Sequence, residues 1–258
     1  MNFRRLTVLS ALTVLGIYAA LIASLAYFFD RTAVAGALTS ERILFSIQLS
    51  LVASTVATGL AMVIAIPAAY ALSRHRFFGR EVVDAILEFP IIVSPAALGA
   101  ILLIFFNTPV GEWVQTHLIR FVFAFAGIVL AQFVTILGIA VRFMRAAFDE
   151  VPEEYERVAR TLGATPVRAF VTVTLPLARR GLIASGVLAW AKAMGEFGAT
   201  ITIAGTMAMR TETLPIAIFM RLSGADIEGT VALILVLLVI GLSALYGARY
   251  FLRDRHHA

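Results

Sequence analysis

Cysteine is absent from this chain, lysine occurs once, histidine four times, and charged residues make up only 14% of the sequence. Without cysteine there is no disulfide, no thiol nucleophile and no cysteine-ligated metal. The lone lysine, Lys192, stands between Ala191 and Ala193. A phosphate-cradling loop needs Gly-x-x-x-x-Gly-Lys-Ser/Thr, its lysine reaching the phosphates, so any ATP and Mg must be handled by another chain. His75, His117, His256 and His257 fall in connecting segments and at the tail. None stands in an apolar segment beside a serine it could activate, and no His-x-x-x-His or Glu-x-x-His pair offers metal ligands. The expectation is a chain with no catalytic residues, no metal and no cofactor of its own.

Apolar residues, by contrast, make up 60% of the chain, against about 45–50% in soluble domains. A bilayer span needs roughly 20 predominantly apolar residues, and segments at about 6–29, 45–72, 86–106, 121–141, 181–204 and 229–250 qualify. The fold class is therefore an all-α membrane protein with six transmembrane helices, read as one membrane domain over residues 1–258. Arg4 and Arg5 before the first apolar run could mark a secretory signal. That run is longer than a signal core and ends in Phe28-Phe29-Asp30-Arg31 rather than small residues, so it reads as a permanent helix. After Tyr250 only FLRDRHHA follows, so a regulatory domain is expected on another subunit rather than in this chain.

The net charge of +5 could point to nucleic acid, but the arginines are distributed by side. With six spans, fifteen of them share the side of the termini: Arg4, Arg5, Arg74, Arg76, Arg80, Arg142, Arg145, Arg157, Arg160, Arg168, Arg179, Arg180, Arg249, Arg253 and Arg255. Arg31, Arg42, Arg120, Arg210 and Arg221 fall opposite. By the positive-inside rule the termini and the 142–180 region are cytoplasmic. The basic balance encodes topology in a cell membrane and no nucleic-acid partner is expected.

One long polar insert breaks the apolar pattern, EEYERVARTLGATPVRAFVTVTLP over residues 153–176. Tyr155, Val158, Ala159 and Leu162 recur at i, i+3, i+4 and i+7 after Pro152, which makes one apolar helical stripe. Glu153, Glu154 and Glu156 suit the positive end of the helix dipole, and Gly163 suits a left-handed cap. Thr165 and Pro166 form an N-cap and first-turn pair opening a second short helix, with Val167, Phe170 and Val171, that ends at Leu175-Pro176. An ordinary solvated loop would share these signals. An apolar stripe with no soluble core to bury it nevertheless calls for a partner protein.

Ionisable groups inside spans are functional candidates. Lys192 and Glu196 are four apart in the fifth span and can pair. They form either a structural ion pair or a positive charge beside a path for anions. Glu88 accompanies Pro90 and Pro95, five apart, which can kink the third span for movement or merely for packing. Gly195, Gly198 and Gly205 permit close helix approach. The connection from about 205 to 228 reads as an external surface loop, with Ile216, Phe219 and Met220 in a turn at the interface, or as part of a gate.

On these residues the chain resembles the permease subunits of ATP-binding-cassette importers. Their Glu-Ala-Ala loop is matched by Arg157, Val158 and Ala159, then Gly163, Val173, Leu175 and Pro176; the leading Glu and first Ala are replaced, while the spacing from glycine to Leu-Pro is kept. Residues 46–74 and 89–99 resemble the first core helix and the proline-bearing helix of this class. AWAKAMGEFGATITIAGTMAMRTETLPIA, residues 189–217, is similar to molybdate, tungstate and sulfate permeases, with GEFGAT and TETLP pointing to the molybdate and tungstate branch. The likeness covers about 45–250.

That resemblance implies a MetI-like permease fold with a peripheral first helix at 6–29, a core at 45–250 and a cytoplasmic coupling loop at 149–180. It implies a homodimeric channel, an external oxyanion-binding protein, and two cytoplasmic ATPase subunits gripping Glu154, Tyr155, Glu156, Arg157, Val158, Ala159, Arg160, Leu162, Gly163, Ala164, Val173, Leu175 and Pro176. It implies that Lys192, Glu196, Phe197, Gly198 and Thr200 line the pore, with Arg210, Thr211 and Glu212 at its external gate and Arg210 the first candidate to guide an anion. An ATP-independent carrier is the alternative class; it would show inverted repeats, which the sequence lacks, and would leave the 153–176 loop without a role.

Overall fold

In the computed structural model, residues 3–253 are described; Arg255, His256, His257 and the side chain of Arg253 lie outside them. Among the described residues, five helices are long and apolar enough to cross a bilayer, or six if one sharply bent pair counts as a single span. The first is α1, Phe3–Ser24, prolonged by a tight turn at Leu25–Phe28. None of its residues is buried. Asp30 then caps α2 (Arg31–Thr39) by accepting from the amides of Thr32 and Ala33, and the hydrogen bond from the Thr32 hydroxyl holds its carboxyl below the ordinary range.

Helix α3 (Glu41–Arg74) runs unbroken for 34 residues, about 51 Å at 1.5 Å per residue, so it overshoots a hydrocarbon layer of about 30 Å. Its buried side is a ladder of small residues, among them Ser46, Ser50, Ala53, Ala57, Ala61, Ala65 and Ala69. Spacings of three and four put these on one face, and small side chains let a neighbouring backbone approach closely. That neighbour is chiefly α7 (Phe125–Asp149), with α10 (Leu175–Met194) beside it. One apolar core joins Ala61, Ala65, Ala69, Met144, Phe148 and Leu182 toward the C-terminal end of α3. A second gathers Ala53, Phe106, Ile128 and Ile203 toward the far side, and a third packs Ile43, Met194, Leu214 and Leu233.

The expected third span, 86–106, is not one kinked helix. Two helices, α4 (Arg80–Ile92) and α5 (Pro95–Phe106), meet at 110°. The cause is local: Ser94 is extended and its hydroxyl caps Ala97 while Pro95 opens α5, and proline biases the residue before it away from helix. Pro90 lies inside α4. Ion pairs Arg142–Glu88 (2.5 Å) and Arg145–Asp84 (2.9 Å) fasten α4 to α7.

The fifth span also departs from 181–204. Helical structure starts at Pro166 and ends at Met194; after Gly195–Phe197 a separate helix α11 (Gly198–Ala204) begins. The fold is completed by α6 (Pro109–His117), by α8 (Glu153–Thr161) and α9 (Pro166–Ala169) in the polar insert, by α12 (Leu214–Ser223), and by α13 (Ile227–Arg253).

Candidate functional site

The polar insert folds as its turn signals indicate at its first end. After α8 the amide of Gly163 donates to the Arg160 carbonyl (3.0 Å) and that of Ala164 to the Ala159 carbonyl (3.1 Å), the paired closure of a Schellman turn. Gly163 takes φ +92°, a left-handed value cheap only for glycine. Thr165 then caps α9 through the Arg168 amide.

Its second end differs from expectation. The second helix does not stop at Leu175-Pro176; α9 passes through one π turn at Phe170–Thr174 directly into α10. Pro176 has no amide to donate and its ring would clash with the carbonyl four residues earlier. Widening the preceding turn, with the Leu175 amide reaching the Phe170 carbonyl, accommodates the proline without breaking the helix. Val173 lies in that turn and Leu175, with Phe170, packs on the adjoining apolar core.

Helix α8 wears its amphipathicity inside out. Tyr155, Val158 and Leu162 are 54%, 56% and 83% exposed, whereas the inward face carries half-buried Ala159 and the carboxylate of Glu156. Glu156 accepts from the Tyr70 hydroxyl and lies 3.6 Å from Arg74 Nε. Glu154 and Arg157 pair on the surface at 2.9 Å, and Arg160 is exposed.

The second group of residues gathers where α10 gives way to α11. Glu196 is 1% exposed and accepts from the Ala199 amide at 3.0 Å, so its carboxylate occupies the start of α11. Lys192 Nζ stands 3.7 Å from Glu196 Oε2, its side chain 47% exposed. The pair is real but looser than a hydrogen bond, and it forms across the end of α10 rather than along a continuous helix. Phe197 leans on Phe219, ring centres 4.9 Å apart. At Gly198 an added Cβ would meet the Ala96 nitrogen at 2.9 Å and Pro95 Cβ at 3.0 Å, so the break in α10–α11 is packed against the break in α4–α5. Thr200 is fully buried and its hydroxyl has no hydrogen-bond partner.

Arg210, Thr211 and Glu212 do not join that group. Arg210 is exposed. Thr211 and Glu212 are buried in a strap laid on α3: the Thr211 hydroxyl accepts from the Met207 amide (3.2 Å), Leu214 donates its amide to Ser50 Oγ (2.7 Å), and Glu212 takes two 2.7 Å hydrogen bonds from Arg42. Ile216, expected at the interface, is fully buried. Two polar groups of the TETLP string, the Glu212 carboxylate and the Leu214 amide, find partners on α3, and Thr213 is buried with them although its hydroxyl has no hydrogen-bond partner. Arg42, Ser50, Tyr70 and Arg74 were missed by sequence reasoning because their partners lie 74 to 170 residues away and no local pattern marks them.

Among the described residues, five helices long and apolar enough to cross a bilayer, or six with the bent α4–α5 pair, together with an exposed amphipathic insert define a multi-pass membrane domain. Residues 61–256 match the model of the binding-protein-dependent transport system inner membrane component family, and the chain belongs to it: it is an inner-membrane, multi-pass permease subunit of the ATP-binding-cassette class. The molybdenum transport system permease protein ModB of Haemophilus influenzae is 34% identical over 187 residues, covering 70% of this chain and 81% of that one. The sulfate transport system permease protein CysT of Escherichia coli is 33% identical over 211 residues, covering 81% and 76%. A bacterial alginate ABC transporter, solved in complex with an alginate pentasaccharide-bound periplasmic protein, superposes with a TM-score of 0.76 over 99% of this chain and 97% of that one, at 17% identity. That likeness gives the all-helical permease fold, and the fold alone.

Proposed function

We propose that this chain forms, as a homodimer, the translocation pathway of an ATP-driven importer of molybdate or tungstate, with its termini and α8 on the cytoplasmic side. The observation that carries the reading is α8. A helix that turns Tyr155, Val158 and Leu162 outward while a carboxylate faces the bundle is built to be covered by another protein, and ATPase subunits are the partners an importer of this class requires. ATP and Mg belong to those subunits, and solute arrives from an extracytoplasmic oxyanion-binding protein.

Lys192 supports the choice of an anion. It is the only lysine in the sequence, and with Leu188 it stands on a face of α10 that the single chain leaves uncovered. At 3.7 Å its partner Glu196 does not saturate it, so a donor is available to a passing oxyanion. Glu196, held by the Ala199 amide, keeps the α11 terminus occupied and prevents the anion from being trapped there.

Sulfate is the second reading, favoured by the near-equal identity to a sulfate permease. The deciding experiment is ATPase activity of the reconstituted complex with molybdate-loaded or sulfate-loaded binding protein. Stimulation by the molybdate form alone supports the first reading, equal stimulation supports a general oxyanion importer, and a permease that retains no ATPase subunit refutes both.

A further inference from the structure

Helix α3 is clamped at both ends. At the α8 end, Arg74 donates to the carbonyls of Phe148 (2.9 Å) and Val151 (2.5 Å), and Ser73 to Asp149 (2.5 Å), so the last turn of α3 is tied to the corner from which α8 departs. Tyr70 and Arg74 then hold Glu156 of α8 itself, with the Arg74 and Glu156 side chains only 8% and 12% exposed. The Tyr70 ring is wedged against Phe148 and Phe170, ring centres 5.8 and 4.5 Å away. At the far end, Ser50 and Arg42 hold the strap through Leu214 and Glu212. Between Ser50 and Tyr70 lie about five and a half helical turns whose buried face, Ala53, Ser54, Ala57, Thr58, Ala61, Ala65 and Ala69, is all small residues, a surface on which a helix can shift without rotamer clashes.

We propose that α3 is the rod joining the two faces of this permease, and that Tyr70 and Arg74 are positioning residues that make it move with α8 by clasping Glu156. This rests on the reading of α8 as the ATPase contact. Displacing α8 without α3 would draw Glu156 away from the Tyr70 hydroxyl and leave the guanidinium of Arg74, 8% exposed, without its counter-ion, and such an unpaired enclosed charge costs several kcal/mol. Following α8 is the cheaper course for α3, and Arg42 and Ser50 carry the displacement to the strap.

The test is the complete importer in proteoliposomes, read as oxyanion taken up per ATP hydrolysed. Tyr70→Phe removes one hydroxyl and keeps the aromatic packing; Arg74→Lys keeps charge but loses the bonds to the two carbonyls. For Tyr70→Phe the expected result is normal co-purification of the ATPase subunits with at least a fivefold fall in uptake per ATP, and no further fall when Glu156→Gln is added, since both act on one link. Arg74→Lys should fall in the same direction. Uptake per ATP within twofold of the wild type in both single variants overturns the clasp and leaves the function standing. A wild-type chain that retains no ATPase subunit overturns both. A fall in protein yield or thermal stability does not reproduce the expected pattern, because a merely structural defect lowers uptake and hydrolysis together and leaves their ratio unchanged; that result too would overturn the clasp.

Discussion

Removing either partner of the Arg42–Glu212 pair should have unequal effects, and the inequality can be worked from burial. The Glu212 side chain is 2% exposed and the Arg42 side chain 51%. Arg42→Met leaves a carboxylate enclosed without its two 2.7 Å donors. Breaking a fully buried pair costs about 3–5 kcal/mol; because half of the guanidinium is solvated, water can partly replace it, and about 2–3 kcal/mol is the discounted figure. Glu212→Gln instead leaves an arginine that can turn outward, so about 1 kcal/mol should be lost, near the value for a surface pair. Thermal unfolding in lipid nanodiscs measures both. At about 2–4 °C per kcal/mol, Arg42→Met should lower Tm by roughly 4–12 °C and Glu212→Gln by about 2–4 °C, while Arg42→Met with Glu212→Leu should recover most of the loss, as apolar replacement of buried pairs commonly does. Equal losses in the two single variants, or a larger loss for Glu212→Gln, would refute the assignment of Glu212 as the enclosed partner.

Gly163→Val should place a branched residue at φ +92° in open space, a local strain of about 1–2 kcal/mol; ATPase capture in a pull-down should weaken while the Tm of the membrane helices stays put. Gly198→Ala drives a methyl to 2.9 Å from a backbone nitrogen and should cost about 1–3 kcal/mol, seen as a lowered Tm. Lys192→Gln should cut oxyanion uptake severalfold with ATPase binding intact, and unchanged uptake would remove the lysine from the path. The Asp30 carboxyl has a pKa lowered in the folded chain, so its cap on α2 contributes above the unfolded pKa and is lost as pH falls through the lowered value; exchange of the Thr32 and Ala33 amides should speed up only at that acidic end.

Legibility in the sequence followed the range of the interactions. The Gly163 turn and the Thr165 cap depend on residues within five positions of one another and are realised as expected; the α8 stripe, which runs from i to i+7, forms a helix but splits, Ala159 turning inward while Tyr155, Val158 and Leu162 stay exposed. The break at Ser94 was visible in part, since serine before proline is a cap signal, but two prolines five apart also describe a kink, and only packing against Gly198 decides between them. Leu175-Pro176 carried the opposite trap: proline normally marks a stop, and a π turn absorbed it. The strap was misread because TETLP is polar by composition and buried by partnership, its Arg42 lying 170 residues away. Polarity alone cannot distinguish a loop in water from one whose hydrogen bonds are already made.

The π turn has a mechanical sequel. Pro166 to Met194 is one 29-residue stretch, about 43 Å of helix, with its widened turn close to α8 and the Lys192–Glu196 break at its other tip. A crank with a yielding wrist at the handle and a loose joint at the crankpin converts a small turn of the handle into a swing at the pin. Both places where the regular helical hydrogen bonding lapses, the widened turn beside α8 and the step at Lys192–Glu196, therefore stand at opposite tips of one span, with an uninterrupted lever of regular helix between them.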